Sequence, residues 1–147
     1  MHVVVRRVTA RQTHDLRRSV LRDGDPESVV VFPGDDDPGA IHLAAFDPAD
    51  DTMVGIATFF PSPFEGRPAY QLRGMAVIPS LQGQGVGAQL LEAGVEAVRA
   101  LGTVSLLWAN GRDSALGFYE RHGWKVVGDQ FEYGPMRLPH HVVLTEL

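Results

Sequence analysis

The spacing of apolar residues changes period several times along this chain, and each change marks an element. Val3 to Val8 is rich in β-branched residues and reads as an opening strand. Thr9 is placed to cap a helix over Gln12 to Leu21, whose Leu16, Val20 and Leu21 share one face. Residues Arg22 to Gly39 carry Gly, Pro and the run Asp35, Asp36, Asp37, so a long loop is expected. Ile41 to Phe46 and Met53 to Phe60 read as a hairpin around the polar turn Asp47 to Thr52.

Pro61 to Pro68 reads as loop, and Ala69 to Val77 as a strand that enters a glycine-rich turn. Val86 to Leu101 carries the clearest helical stripe, with Leu90, Leu91, Gly94, Val95 and Val98 on one side and Gly102 at the C-cap position. Val104 to Trp108 is apolar throughout, as a strand covered on both faces is. A short helix is expected from Asp113 or Ser114 to His122, stopped by Gly123. Trp124 to Val127 and Val142 to Leu147 read as closing strands separated by a Gly-Pro-rich loop. A strand, a crossover helix and a strand between residues 69 and 109 imply a parallel pair. The hairpins imply antiparallel neighbours. The fold class is therefore α/β of the α+β type, a mixed and mostly antiparallel sheet with flanking helices.

Composition narrows the classes of function. The chain has 147 residues, enough for one domain with a real core, and residues 1–147 are read as that domain. A net charge of −5 argues against nucleic-acid binding, which needs a basic face. Cysteine is absent, which removes disulfides, thiolate metal sites and cysteine nucleophiles. No metal site is expected: the aspartate run lacks the alternating oxygen ligands of a calcium loop. No apolar run approaches the roughly 18 residues of a membrane span, so a cytoplasmic protein is expected.

The informative segment is Met75 to Leu91. A strand ends at Pro79-Ser80, and Gly83, Gly85 and Gly87 then lead straight into the helix. Glycine lets a backbone approach a ligand closely, and a helix start offers free N–H groups with the positive end of the macrodipole. Together they form a seat for phosphate oxygens. A nucleoside-triphosphate loop needs a lysine near its end, and the only lysine is Lys125. A dinucleotide fold needs an acid closing the next strand, where Trp108-Ala109-Asn110 stands instead.

Gln82-Gly83-Gln84-Gly85-Val86-Gly87, preceded by Met75-Ala76-Val77-Ile78-Pro79, resembles the Gln/Arg-x-x-Gly-x-Gly/Ala signature of the GNAT family of N-acetyltransferases. A second segment, Asn110 followed by Ala115-Leu116-Gly117-Phe118-Tyr119 and Gly123-Trp124, resembles that family's Asn and Ala-x-x-Phe-Tyr-x-x-x-Gly-Phe elements, with Trp124 in place of phenylalanine. The resemblance spans essentially the whole chain. It implies transfer of an acetyl group from acetyl-CoA to an amine of a small molecule or peptide.

Under that resemblance, the backbone of Gln82 to Gly87 contacts the coenzyme A pyrophosphate, and a Cβ at Gly85 or Gly87 crowds the approach. Met75, Ala76 and Val77 line the pantetheine arm, with the Val77 N–H aimed at the acetyl oxygen. Asn110, expected just past a strand end, reaches the same arm. Ser114 either caps the following helix or joins this site. Tyr119 protonates the departing thiolate. The proton acceptor is left open among Glu132, His140, His141 and water, because Gln71 and Arg73 stand where the family often has a glutamate. Arg22 and Arg73 are candidates to hold an anionic group of the acceptor, and Asp36 to hold a cationic amine. Family members often pair, so a homodimer is also an expectation. A catalytically silent acyl-CoA-binding module and an enzyme using a larger acyl-CoA stay open as alternatives.

Overall fold

The computed structural model describes residues 1–147 and contains a seven-stranded sheet with strand order β1-β2-β3-β4-β5-β7-β6. The strands are β1 (Val4–Arg7), β2 (Ile41–Phe46), β3 (Met53–Pro61), β4 (Tyr70–Val77), β5 (Leu106–Arg112), β6 (Lys125–Tyr133) and β7 (Leu138–Glu146). All neighbours are antiparallel except β4 and β5, which run parallel. The mixed sheet and its parallel pair are as the sequence predicts.

Helix α2 (Val86–Leu101) has the predicted bounds. Its buried Leu90, Leu91, Gly94 and Val98 pack on one sheet face, in a core shared with Leu43, Phe59, Leu107 and Val143. Gly102, at φ +66, closes it in the left-handed conformation that glycine adopts at no steric cost. Helix α3 (Leu116–Arg121) covers the same face farther along and brings Tyr119 and Trp124 into that core.

The opposite face is covered by a composite helix, α1. It consists of a 3-10 turn (Arg11–Thr13), a short α segment (His14–Leu16) and a π-helical turn (Arg17–Leu21). Thr9 caps it as expected: the Gln12 N–H donates to Thr9 Oγ1, and the Thr9 N–H donates to Gln12 Oε1. This reciprocal pair satisfies orphan donors at both residues. The apolar stripe Leu16, Val20, Leu21 seats on Ala44, Ile56 and Ala76.

The last third departs from the sequence reading. β5 runs past Trp108 to Arg112, because β7 pairs with it from Leu106↔Glu146 to Arg112↔His140. Asn110 therefore lies inside a strand, opposite Val142, and not beyond its end. β6 and β7 are also longer than expected and form one hairpin around Gly134 to Arg137. A register shift between Val127 and Phe131, with Gly128 at φ +73, absorbs the polar residues that resemble a loop in the sequence. No helix is long and apolar enough to cross a membrane.

Candidate active site

The sheet opens where its parallel pair separates. β4 and β5 pair from Tyr70↔Leu107 to Leu72↔Ala109, and there the pairing ends. Just beyond, β4 carries a bulge: Thr58 faces Arg73 while Ile56 faces Ala76, so Gly74 and Met75 together oppose Ala57 alone. Gly74 sits at φ +66, a conformation a Cβ resists. The bulge turns β4 away from β5, which stays with β7. From Arg73 to Val77, β4 has a strand on one edge only. The Ile78 N–H donates to Val54 on the β3 side. By the alternation of a strand, the Val77 N–H faces the open side. The Val77 carbonyl, on that same side, accepts from Gln82 Nε2 at 3.0 Å.

The glycine turn closes one end of this opening. Gly83 and Gly85 hold φ of +79 and +86, and Gly85 is the N-cap of α2 without any side-chain cap bond. The N–H groups of Gly83 through Ala88 find no acceptor in the protein. Consecutive free donors at the positive end of a helix of this length are an anion seat. Gly87 differs from its neighbours. Its φ is ordinary, and a Cβ there meets Phe118 at 3.7 Å, an unstrained contact with the protein itself.

On the far side of the opening is a cleft of about 490 Å³ that gathers Met75, Asn110, Phe118, Tyr119 and His140. Tyr119 is packed edge-on against Phe118 and tilted against Trp124, each at 5.3 Å between ring centres. It is a core side chain that also borders the cleft. Burial pushes its phenol up to about 12, so it stays protonated at neutral pH. His140 stacks on Phe131 and meets Tyr133 edge-on. Its Nδ1 lies 2.7 Å from the Leu138 carbonyl. A carbonyl only accepts, so the neutral ring carries its proton on Nδ1 and presents a lone pair at Nε2.

The other sequence-predicted residues fall elsewhere. Ala76 is buried under α1 with its carbonyl turned toward Gly55 of β3, and Val86 is 1% exposed with its side chain in the core. Ser114 is exposed in the 3-10 turn Asp113–Ala115, whose N-cap is Arg112; neither this turn nor α3 has a side-chain cap bond. Glu132 is exposed and paired with Arg137 at 3.0 Å. His141 points to the opposite face of β7 from His140, 2.7 Å from Asp113 Oδ1. The hydrogen bonds from His141 and Gln130 hold the Asp113 carboxyl below its usual range. Of the candidate bases, only His140 borders the cleft.

A buried polar cluster behind the cleft wall is absent from the sequence reading. Arg17, fully buried in the π turn of α1, donates to both carboxylate oxygens of Asp35, to the Val30 carbonyl and to Thr58 Oγ1. His42 bridges Thr58 and the Asp35 carbonyl. The Arg17 guanidinium also lies 4.1 Å from the centre of the Phe32 ring, which lines the cleft. Asp36, expected to hold a cationic amine, is exposed and outside the cleft; the buried aspartate is Asp35, engaged by arginine. The signal was present: Arg17, Val20 and Leu21 have i, i+3, i+4 spacing, which puts a charge on the apolar stripe.

Known proteins agree with this architecture. The model of the "Acetyltransferase (GNAT) family" matches residues 10–124. A Bacillus subtilis (strain 168) protein named "Uncharacterized N-acetyltransferase YitI" is 29% identical over 134 residues, covering 87% of this chain and 86% of its own. The mycothiol acetyltransferase of Propionibacterium freudenreichii is 34% identical over 107 residues, which is 71% of this chain and 34% of that protein. Among solved structures, an aminoglycoside 6'-N-acetyltransferase complexed with coenzyme A superposes with a TM-score of 0.72 at 17% identity, covering 97% of this chain and 96% of that one.

Proposed function

The chain belongs to the GNAT acetyltransferase family, and from that premise we propose that it is an N-acetyltransferase moving an acetyl group directly from acetyl-CoA to an amine. The observation that carries the reading is the free edge of β4 leading to the unpaired N–H groups of Gly83 through Ala88. An extended amide-bearing arm can pair with that edge like an added strand, and a pyrophosphate fits the donor run at its end.

Acetyl-CoA supplies the acetyl group as an activated thioester. Met75 and Val77, either side of Ala76, which turns to β3, offer the backbone edge for the pantetheine arm, and Asn110 faces it across the opening. Gly83, Gln84, Gly85, Val86 and Gly87 receive the pyrophosphate through main-chain donors, whereas the Gln82 N–H is taken by the Pro79 carbonyl. The Gln82 side chain braces the turn against Val77, and Ser114 sits at the rim of α3 as a weaker contact. The Val77 N–H donates to the acetyl oxygen as negative charge grows on it. His140 Nε2 takes the proton from the attacking ammonium, directly or through water. The nitrogen–carbon bond forms, the carbon–sulfur bond breaks, the second proton on nitrogen passes to the departing sulfur or to water, and Tyr119 places its O–H on that sulfur. A phenol raised to about 12 gives its proton up reluctantly, so its main contribution is a hydrogen bond to the developing thiolate.

The test is release of free thiol from acetyl-CoA with a panel of primary amines, with product identified by mass spectrometry. Amine-dependent thiol release with an acetylated product is the expected result. Tight coenzyme A binding without turnover of any amine points instead to a silent binding module.

A further inference from the structure

The acceptor half of the cleft is cationic, although the chain as a whole carries −5. Arg22 at the end of α1, Arg73 at the β4 bulge and Arg112 at the end of β5 all border it. None of them belongs to an ion pair. Arg73 donates to the Tyr133 hydroxyl at 3.0 Å, and Arg22 to the Leu21 carbonyl at 3.2 Å. Both are bonds to neutral oxygens, which leave the guanidinium charge uncompensated.

Arg22 and Arg73 gather at the same aromatic ring. Their guanidinium carbons lie 5.5 and 5.6 Å from the centre of Phe32, whose other neighbour is Arg17. Arg17 has its counter-ion in Asp35, and Asp35 has no oxygen to spare, being held by Arg17 and the Phe32 N–H. One carboxylate borders the cleft, Asp23, exposed and in the left-handed conformation at φ +51. Like charges held together around one ring repel, and an anion placed between them relieves that repulsion. Val20, Leu21, Met136 and Leu138 add apolar surface to the wall beside Gln71, Tyr133 and His140. A polycationic amine would meet like charge here and find little to balance it.

We propose that the acceptor is a small primary amine carrying a carboxylate or phosphate on an apolar frame, with Arg73 and Arg22 binding the anionic group. This rests on the acetyltransferase reading above. Both anions suit the planar donor fork of arginine, and Arg73, pinned to Tyr133, presents its remaining N–H groups without rotating freely.

Matched acceptors test it: phenylalanine against phenylalaninamide, phosphoethanolamine against ethanolamine, and spermidine as the polycation, all compared at equal free-amine concentration. The anionic member of a pair is expected to have a kcat/KM at least about tenfold higher. Arg73→Gln and Arg22→Gln are expected to raise KM for that acceptor about tenfold while KM for acetyl-CoA stays unchanged and the melting temperature confirms folding. The carboxylate and phosphate arms show which anion the site takes. Equal or better turnover of neutral or polycationic acceptors overturns the proposal and leaves the acetyltransferase reading intact. Where no acceptor turns over, that reading fails, and calorimetric titration of N-acetylphenylalanine and N-acetylphenylalaninamide still decides the anion preference. Tighter binding of the acid, lost in Arg73→Gln, supports the site; equal binding overturns it.

Discussion

Arg17 donates to both carboxylate oxygens of Asp35, at 2.6 and 2.9 Å, in a pair whose side chains are 0% and 5% exposed. The pair ties the π turn of α1 to the loop carrying Val30, Phe32 and Asp35, and through Thr58 to the centre of β3. Phe32, the ring against which Arg22 and Arg73 collect, owes its position to this brace. The acceptor wall is therefore held by ionic and hydrogen-bonded contacts, whereas the donor side is held by the apolar seat of α2.

Asp35→Asn removes the counter-ion of a fully buried guanidinium, a change that costs about 3–5 kcal/mol. Burial works to raise the Asp35 carboxyl, but the hydrogen bonds from Arg17 and the Phe32 N–H outweigh it and hold it below the usual range. A depressed carboxylate contributes stability that is complete above the unfolded value of about 3.9 and is lost as pH falls through the lower folded value. Urea titrations are expected to show a large gap between wild type and Asp35→Asn at pH 7, narrowing below about pH 4. A gap that is small at neutral pH would show that the loop relaxes and hydrates Arg17.

Gly94→Ala tests the α2 seat. A Cβ at this position would overlap the Phe59 ring, deep in the core. Over-packing of this kind costs about 1–3 kcal/mol or more, despite the better helix propensity of alanine. Adding Phe59→Leu opens room for the methyl group, so the double variant is expected to lose less than the sum of the single losses. Additive losses would mean that the helix shifts away from β3 and leaves the ring in place.

Much of this arrangement is legible before any coordinates. The Val86–Leu101 stripe and the Thr9 cap gave their elements because local spacing and capping decide them. The extension of β5 and the β6–β7 hairpin were not legible, because only cross-strand pairing reveals that Asp129, Gln130 and Glu132 lie in a strand. Asn110 was misplaced relative to the strand end for the same reason. The bulge at Gly74 and the choice of Asp35 over Asp36 depend on contacts distant in sequence. Those contacts shape the acceptor wall, so the sequence speaks more clearly of the donor than of the acceptor.

Tyr119→Phe is expected to lower kcat by about 10²–10³-fold with KM for acetyl-CoA nearly unchanged, since the hydrogen bond to the thiolate is lost while the ring keeps its packing against Phe118 and Trp124. Burial pushes the phenol up to about 12, and a raised phenol stays protonated at every pH below that value. The wild-type rate therefore has no alkaline fall from Tyr119 up to about pH 10. His140→Gln is expected to lose most of the rate with KM for acetyl-CoA nearly unchanged, and a rate that survives this change would assign the base elsewhere.

Gly85→Ala separates the anion seat from the chemistry. At φ +86 a Cβ is strained, by about 1–2 kcal/mol, while open space surrounds it in the protein. The variant folds with a slightly lower melting temperature, but its turn must give up the left-handed geometry that aims the free N–H groups. KM for acetyl-CoA is then expected to rise about tenfold or more, with kcat at saturation nearly unchanged, because Tyr119 and His140 lie on other elements. Gly87→Ala is the control, at an ordinary φ with its nearest contact at 3.7 Å. Any loss of acetyl-CoA affinity it shows comes from the ligand meeting the new methyl group, so comparing the two variants by titration calorimetry distinguishes a displaced backbone from a crowded one.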